Sequence, residues 1–77
     1  MNPSKSSKLV RCKKCFRLLC KRVPIVVEHE ETYIVHIKHR GIELYTFDAT
    51  ITCPACHTKS RINGDQGILA VEINHYA

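Results

Sequence analysis

Two cysteine pairs of identical spacing constrain most strongly what this chain can fold into. They are Cys12-Lys13-Lys14-Cys15 and Cys53-Pro54-Ala55-Cys56, and they enclose most of the 77 residues. Each C-x-x-C motif brings two sulfurs close enough to form one edge of a tetrahedral metal site. Two such motifs supply the four thiolates of a closed structural zinc site. The spacing therefore predicts one structural Zn²⁺ ion bound by Cys12, Cys15, Cys53 and Cys56.

The length of the chain makes such a metal site important for folding. A single domain of 77 residues buries too little surface for its core alone to be secure. Zinc binding to finger-type sites contributes roughly 10–16 kcal/mol in apparent free energy, so we expect the metal to be part of the fold. Residues 1–8 have the composition of a flexible basic arm, and residues 9–77 are predicted to form one zinc-ribbon domain.

The fold class predicted from the residue pattern is small and all-β: a four-cysteine zinc ribbon elaborated by an inserted β-hairpin and a C-terminal strand. Residues 32–38 and 42–47 are rich in β-branched and aromatic side chains and predict the hairpin. Gly41 in the connection suits a three-residue loop. The other predicted strands are residues 9–11, 25–27, 49–52 and 68–73.

The last predicted strand shows an alternation of apolar and polar residues. Leu69, Val71 and Ile73 share one face at a period of two, while Glu72 and Asn74 take the other. This pattern favours a strand over a short helix.

The cysteine motifs leave several alternatives open. Four thiolates also suit iron in a rubredoxin-like centre. Cys53 to His57 matches the C-x-x-C-H attachment sequence of c-type haem, and C-P-x-C is typical of thioredoxin-type redox centres. His57 is interpreted as a surface residue or as a support for the ligands. Cys20 is interpreted as a small buried hydrophobic residue, with a reactive thiol as the weaker alternative.

Positive charge is concentrated at the start of the chain. Eight of the twelve Lys and Arg residues lie within the first 22 positions, where there is no Asp or Glu. A basic segment of this kind is typical of phosphate binding, although lysines between ligands also offset the charge of a four-thiolate site. The predicted nucleic-acid contacts are the basic residues around and after the first motif: Arg11, Lys13, Lys14, Arg17, Lys21 and Arg22.

Aromatic side chains offer a second type of contact. Single-strand binding proteins stack bases on exposed aromatic rings. Tyr33 and Tyr45 are the candidates for stacking on a base or for contact with a partner.

The residues around both cysteine motifs resemble a known family. Arg11 to Leu19 reads R-C-K-K-C-F-R-L-L, and residues 51–56 read I-T-C-P-A-C. Both segments are similar to those of the Com family of phage translational regulators, which are short zinc-binding proteins. The resemblance implies a viral or prophage origin, binding to messenger RNA, and zinc on cysteines 12, 15, 53 and 56.

We therefore expect a non-enzymatic zinc-ribbon protein that binds nucleic acid, with RNA favoured over DNA. The alternative is a protein-interaction module that docks on a larger host or viral protein through its hairpin or its last strand, and a homodimer is a further expectation. The polar opening of the chain and the lack of an apolar run of about 20 residues predict no membrane segment and a cytoplasmic location.

Overall fold

A computed structural model describes residues 6–72, and within that range the fold consists of strands and turns without a helix. The seven strands are β1 (Lys8–Arg11), β2 (Leu18–Val27), β3 (Glu30–His39), β4 (Ile42–Thr46), β5 (Asp48–Thr52), β6 (Lys59–Asn63) and β7 (Gly67–Glu72). The prediction of a small all-β zinc ribbon is confirmed. No stretch of the described chain forms a helix long and apolar enough to cross a membrane.

The strands form two antiparallel sheets. The larger has the order β1-β2-β3-β4, and the smaller has the order β5-β6-β7. The chain passes from one sheet to the other through a bend at Phe47, between the end of β4 and the start of β5. The backbone N–H of Gly64 donates to the Phe47 carbonyl at 2.8 Å, which ties this bend to the turn between β6 and β7.

The core lies between the two sheets, where β3 faces β5 and β6. Its buried members are Val10, Cys20, Val35 and Ile62, from four different strands. The alternation of side chains along each strand accounts for this set, because residues paired across neighbouring antiparallel strands share a face. Val10 pairs with Cys20, for example, and both point inward. The core is small, as expected for this length.

Both long hairpins have two-residue turns. His39 pairs with Ile42 across Arg40 and Gly41, which have φ values of 52° and 79°. The predicted hairpin is therefore present, but its loop has two residues and not three, because two positive φ values match the twist of the strands. The β2–β3 hairpin was not predicted: its turn, Glu28-His29, lacks the glycine or asparagine that usually marks such a loop.

Strand β7 is present as predicted, but its buried face differs from the prediction. A β-bulge shifts the register between Arg61 and Ile62, so that Ile68 pairs with Ile62 while Ala70 pairs with Arg61. The bulge turns Ile68 toward the core and leaves Leu69 and Val71 exposed. Ile73 and most of the predicted basic arm lie outside the described residues.

Candidate metal centre

The four predicted ligands form one compact cluster. Their sulfur atoms all lie within 4.8 Å of one another, with Cys12 Sγ 3.5 Å from Cys56 Sγ and Cys15 Sγ 3.4 Å from Cys53 Sγ. A zinc ion with Zn–S distances of about 2.3 Å requires sulfurs roughly 3.8 Å apart, which falls inside this range. The cluster fits one structural zinc ion with four thiolate ligands, and the predicted cofactor and ligand set are confirmed.

The two cysteine motifs have the same backbone geometry, which we call the first knuckle (residues 12–17) and the second knuckle (residues 53–58). In the first, the N–H of Cys12 donates to the Arg17 carbonyl at 2.8 Å and the N–H of Phe16 donates to the Cys12 carbonyl at 2.9 Å. The second knuckle repeats both bonds at equivalent positions, at 2.9 Å each. In each knuckle, the tight turn brings its two sulfurs to the same side of the sulfur cluster.

Each sheet contributes one knuckle. The first knuckle joins β1 to β2 in the larger sheet, and the second joins β5 to β6 in the smaller sheet. A metal ion bound to both knuckles therefore cross-links the two sheets. This arrangement explains how a protein with so small a core holds its sheets face to face.

Hydrogen bonds lower the pKa of both cysteines in the second knuckle. The pKa of Cys56 falls from 9.0 to about 6, chiefly because the hydroxyl and then the backbone N–H of Thr58 stabilise its ionised sulfur. The pKa of Cys53 is lowered chiefly by the backbone N–H of Cys56. At Cys15 the N–H of Arg17 acts in the same direction, but the sulfur of Cys53 and partial desolvation raise the pKa to about 12. Cys53 and Cys56 therefore ionise more readily than Cys15.

Thr58 is a functional residue that the sequence reasoning missed. It is fully buried, and its Oγ1 lies 3.2 Å from Cys56 Sγ. The Cys56 thiol donates to this hydroxyl, and once Cys56 is ionised the hydroxyl donates to the thiolate instead and orients it toward a metal. In the sequence, only its position as a hydroxyl residue two places after Cys56 could have indicated this role.

Two further predictions concern residues next to the ligands. Cys20 is buried in the core beside Val10, and burial raises the pKa of its thiol to about 11. It is the small buried residue that was predicted, and its thiol is protonated at neutral pH. His57 is exposed beside the second knuckle and is not part of the sulfur cluster.

The predicted basic contacts separate into three groups. Lys13, Lys14 and Arg17 are exposed on the first knuckle, and Arg11 is exposed directly before it, where its Nη1 donates to the Phe16 carbonyl at 3.3 Å. Lys21 is exposed on the outer face of the larger sheet, in register with His36. Arg22 points the other way and joins the two sheets.

Arg22 is committed to contacts inside the protein. Its Nε donates to the Gly64 carbonyl at 2.7 Å, and its Nη2 donates to the Asp65 carbonyl at 2.6 Å. The guanidinium also lies over the ring of Tyr33, 4.9 Å from its centroid. These contacts occupy the side chain, so the structure argues against Arg22 as a phosphate contact and assigns it to sheet–sheet packing.

The two tyrosine candidates differ in accessibility. Tyr33 is only 6% exposed, with Arg22 over its ring and Lys8 5.6 Å from its centroid. Because so little of Tyr33 is exposed, the structure argues against the prediction that Tyr33 stacks on a base or a partner. Tyr45 is more than half exposed, but one face of its ring is stacked on His36, with centroids 4.5 Å apart.

Comparisons with protein-family models, with curated proteins and with solved structures gave no match. The fold and the four-cysteine cluster therefore define the class: a zinc-binding ribbon of two antiparallel sheets. The resemblance to the Com family stays a prediction that depends on the residues around the two knuckles.

Proposed function

We propose that this chain is a non-enzymatic zinc-ribbon protein that binds RNA through the basic surface of its first knuckle. The observation that carries the proposal is the exposure of four cations around one short turn: Arg11, Lys13, Lys14 and Arg17. No acidic residue precedes Glu28 in the sequence, so nothing nearby in the chain neutralises them. Such a cluster attracts phosphates and releases counterions when it binds them.

A groove next to the first knuckle supports the same reading. It has a volume of about 340 Å³ and runs between β1 and the start of β7. Arg11, Lys13 and Arg22 contribute to its walls, and none of its lining residues is acidic. Although the guanidinium of Arg22 is held by the turn after β6, its positive charge still adds to the potential of the groove.

One observation supports placing RNA ahead of duplex DNA. The described residues contain no helix that could enter a major groove. Unpaired RNA is bound instead on sheet surfaces and turns that combine cations with aromatic rings. The resemblance of the knuckles to the Com family suggests the specific form of this proposal: a regulator of phage origin acting on messenger RNA in the cytoplasm.

A structural role for the metal is consistent with a binding protein. Four thiolates complete the tetrahedral shell of zinc, which leaves no coordination position for a substrate or a water molecule. We infer that the metal stabilises the RNA-binding surface and takes no part in a reaction.

The test removes charge from the knuckle without reversing it beside the metal. We would replace Lys13, Lys14 and Arg17 with glutamine and measure RNA affinity and zinc content. The matched control replaces three exposed cations elsewhere, Lys38→Gln, Arg40→Gln and Arg61→Gln, with the same change in net charge. We expect the knuckle variant to lose at least tenfold in affinity with zinc retained. Equal affinities of the two variants would refute the proposal.

A second candidate function follows from the edge of the larger sheet. Strand β4 lies at that edge and, with the bend that follows it, exposes Ile42, Leu44, Tyr45 and Phe47, each between 54% and 71%. The two strands of the predicted hairpin therefore differ in burial: Tyr33 and Val35 on β3 are buried, whereas the apolar side chains on β4 are exposed. An apolar edge strand with unpaired backbone groups is typical of strand addition by a partner protein or a second copy.

Leu44→Lys tests this second function. The side chain is exposed, so the substitution leaves the core intact while placing a charge at the centre of the edge. We expect the variant to stay monomeric in sedimentation experiments and to lose capture of any partner that the unaltered protein binds. Unchanged association would exclude the β4 edge as the contact surface.

A further inference from the structure

Both knuckles carry an aromatic residue in a left-handed backbone conformation. Phe16 directly follows Cys15 and has a φ of 63°, and His57 directly follows Cys56 and has a φ of 61°. The two residues occupy equivalent places, because the N–H of each donates to the carbonyl of the first cysteine in its knuckle at 2.9 Å. Both side chains are exposed. Each ring therefore stands at the rim of the sulfur cluster.

Neither local conformation nor packing accounts for a phenylalanine at position 16. Glycine adopts a positive φ without steric strain, whereas a residue with a Cβ atom is destabilised there. The ring does not recover this loss by burial, since it is 70% exposed. An exposed apolar ring on a strained backbone is the kind of outlier from which a functional role is inferred.

The surroundings of Phe16 indicate what its ring contacts. Arg11 donates to the carbonyl of Phe16, while Lys14 and Arg17 lie on either side of the Cys15-Phe16 pair in the sequence and are exposed. An aromatic ring among cations that hold phosphates is the arrangement by which proteins bind single-stranded nucleic acid. Apolar side chains on β4 lie at the opposite edge of the larger sheet from β1, so they do not extend this surface into an apolar docking patch.

We propose that Phe16 stacks on an unpaired base of single-stranded RNA, with His57 as its counterpart on the second knuckle. This inference rests on the proposed RNA-binding function and names the groups that contact the bases. Phe16 replaces the buried Tyr33 as the stacking residue, whereas Tyr45 lies on β4, at the opposite edge of the larger sheet from β1, with one face of its ring covered by His36.

Phe16→Gly tests the proposal because it changes stability and binding in opposite directions. Glycine relieves the strained φ, so the melting temperature of the zinc-loaded protein is expected to rise. Loss of the ring is expected to weaken binding to a fluorescently labelled oligouridylate roughly 5- to 150-fold, the range that base–aromatic stacking spans. The control is Phe47→Ala, which removes an exposed ring on the other edge and leaves the affinity unchanged.

A second variant reports stacking directly. The chain contains no tryptophan, so Phe16→Trp introduces a single indole at the knuckle. We expect this variant to keep its affinity and its fluorescence to be quenched by oligouridylate. In the matched Phe47→Trp variant, quenching is not expected.

The outcomes separate this inference from the proposed function. If Phe16→Gly binds oligouridylate as tightly as the unaltered protein, while the glutamine variant of Lys13, Lys14 and Arg17 does not, RNA binding stands and stacking is refuted. Unquenched Phe16→Trp fluorescence refutes it equally. Loss of zinc or of folding in Phe16→Gly would show a structural role instead. If the unaltered protein does not bind oligouridylate, the proposed function and this inference both fail.

Discussion

Arg22 connects the two sheets away from the metal, and we expect Arg22→Met to reduce stability while lowering RNA affinity no more than Lys21→Met does. Methionine keeps an aliphatic stem but removes the hydrogen bonds to the carbonyls of Gly64 and Asp65 and the contact over Tyr33. A hydrogen bond with a charged donor contributes about 1.5–3 kcal/mol. The cation–π contact adds about 0.5–1 kcal/mol. Because one of the bonds is exposed to solvent and the contacts share a single side chain, we expect a loss of about 2–4 kcal/mol.

The neighbouring residue provides the control. Lys21 is exposed on the opposite face of β2, so Lys21→Met removes the same charge without breaking a contact between the sheets. Each kcal/mol changes the melting temperature of a domain of this size by about 4–8 °C, so Arg22→Met should melt roughly 10 °C lower or more.

The assay is thermal unfolding followed by circular dichroism, in the same excess of zinc for every variant, because a bound metal itself raises the melting temperature. RNA affinity is measured on the same samples at a temperature where both variants are folded. If Arg22→Met melts like Lys21→Met but binds RNA more weakly, Arg22 contacts RNA and the role assigned to it is wrong.

Three other substitutions give expected outcomes. Thr58→Val should weaken zinc binding roughly 10- to 100-fold, and as the pH is lowered in a chelator competition the variant should release zinc at a higher pH than the unaltered protein. The reason is that the pKa of Cys56 then rises above about 6, so protons compete better for that sulfur. Zinc release at an unchanged pH would contradict the role of the hydrogen bond. Gly64→Ala should lower the free energy of unfolding, measured with denaturant, by about 1–3 kcal/mol, since the added Cβ would collide with the backbone of Tyr33. An unchanged free energy of unfolding would exclude this close approach between position 64 and Tyr33. His29→Gly should raise the free energy of unfolding by about 1 kcal/mol, because glycine adopts the φ of 69° at this position without strain. A lower melting temperature would contradict the turn assignment.

The metal site was predictable from the sequence because its signal is local. The spacing of Cys12 and Cys15, repeated at Cys53 and Cys56, specifies four sulfurs, and a tight turn has few ways to present them. The β-branched and aromatic residues of β3 and β4 and the glycine between them predicted the hairpin for the same reason. These features depend on residues within a few positions of one another.

The features that were not predicted depend on contacts across the fold. The sequence does not show that Arg22 reaches Gly64 and Asp65, more than 40 positions away, so its charge looked available for phosphate. Tyr33 looked like a surface ring until β3 was seen to face the smaller sheet. The bulge at Arg61 moved Ile68 to the core, and a single inserted residue of this kind leaves no mark in the apolar pattern.

The Glu28-His29 turn shows a different limit. Prediction of a two-residue hairpin relies on glycine or asparagine, because they tolerate positive φ. Here the paired strands hold two ordinary residues at 48° and 69°, and the long β2–β3 ladder compensates for the local strain. The long strand β2 was missed as well, because Pro24 marked a boundary. The proline is tolerated because β1 pairs with β2 only as far as Arg22.

The most direct test of RNA binding by the first knuckle is the salt dependence of binding between the zinc-loaded protein and single-stranded RNA. With Arg22 committed to sheet packing and Lys21 on the outer face of the larger sheet, four exposed cations remain in and directly before the first knuckle: Arg11, Lys13, Lys14 and Arg17. Single strands contribute about 0.7 to the log–log slope for each phosphate contact, so we expect a slope of about −3 with sub-micromolar affinity near physiological salt. Weak binding with a slope near zero would contradict it and would leave the β4 edge as the functional surface.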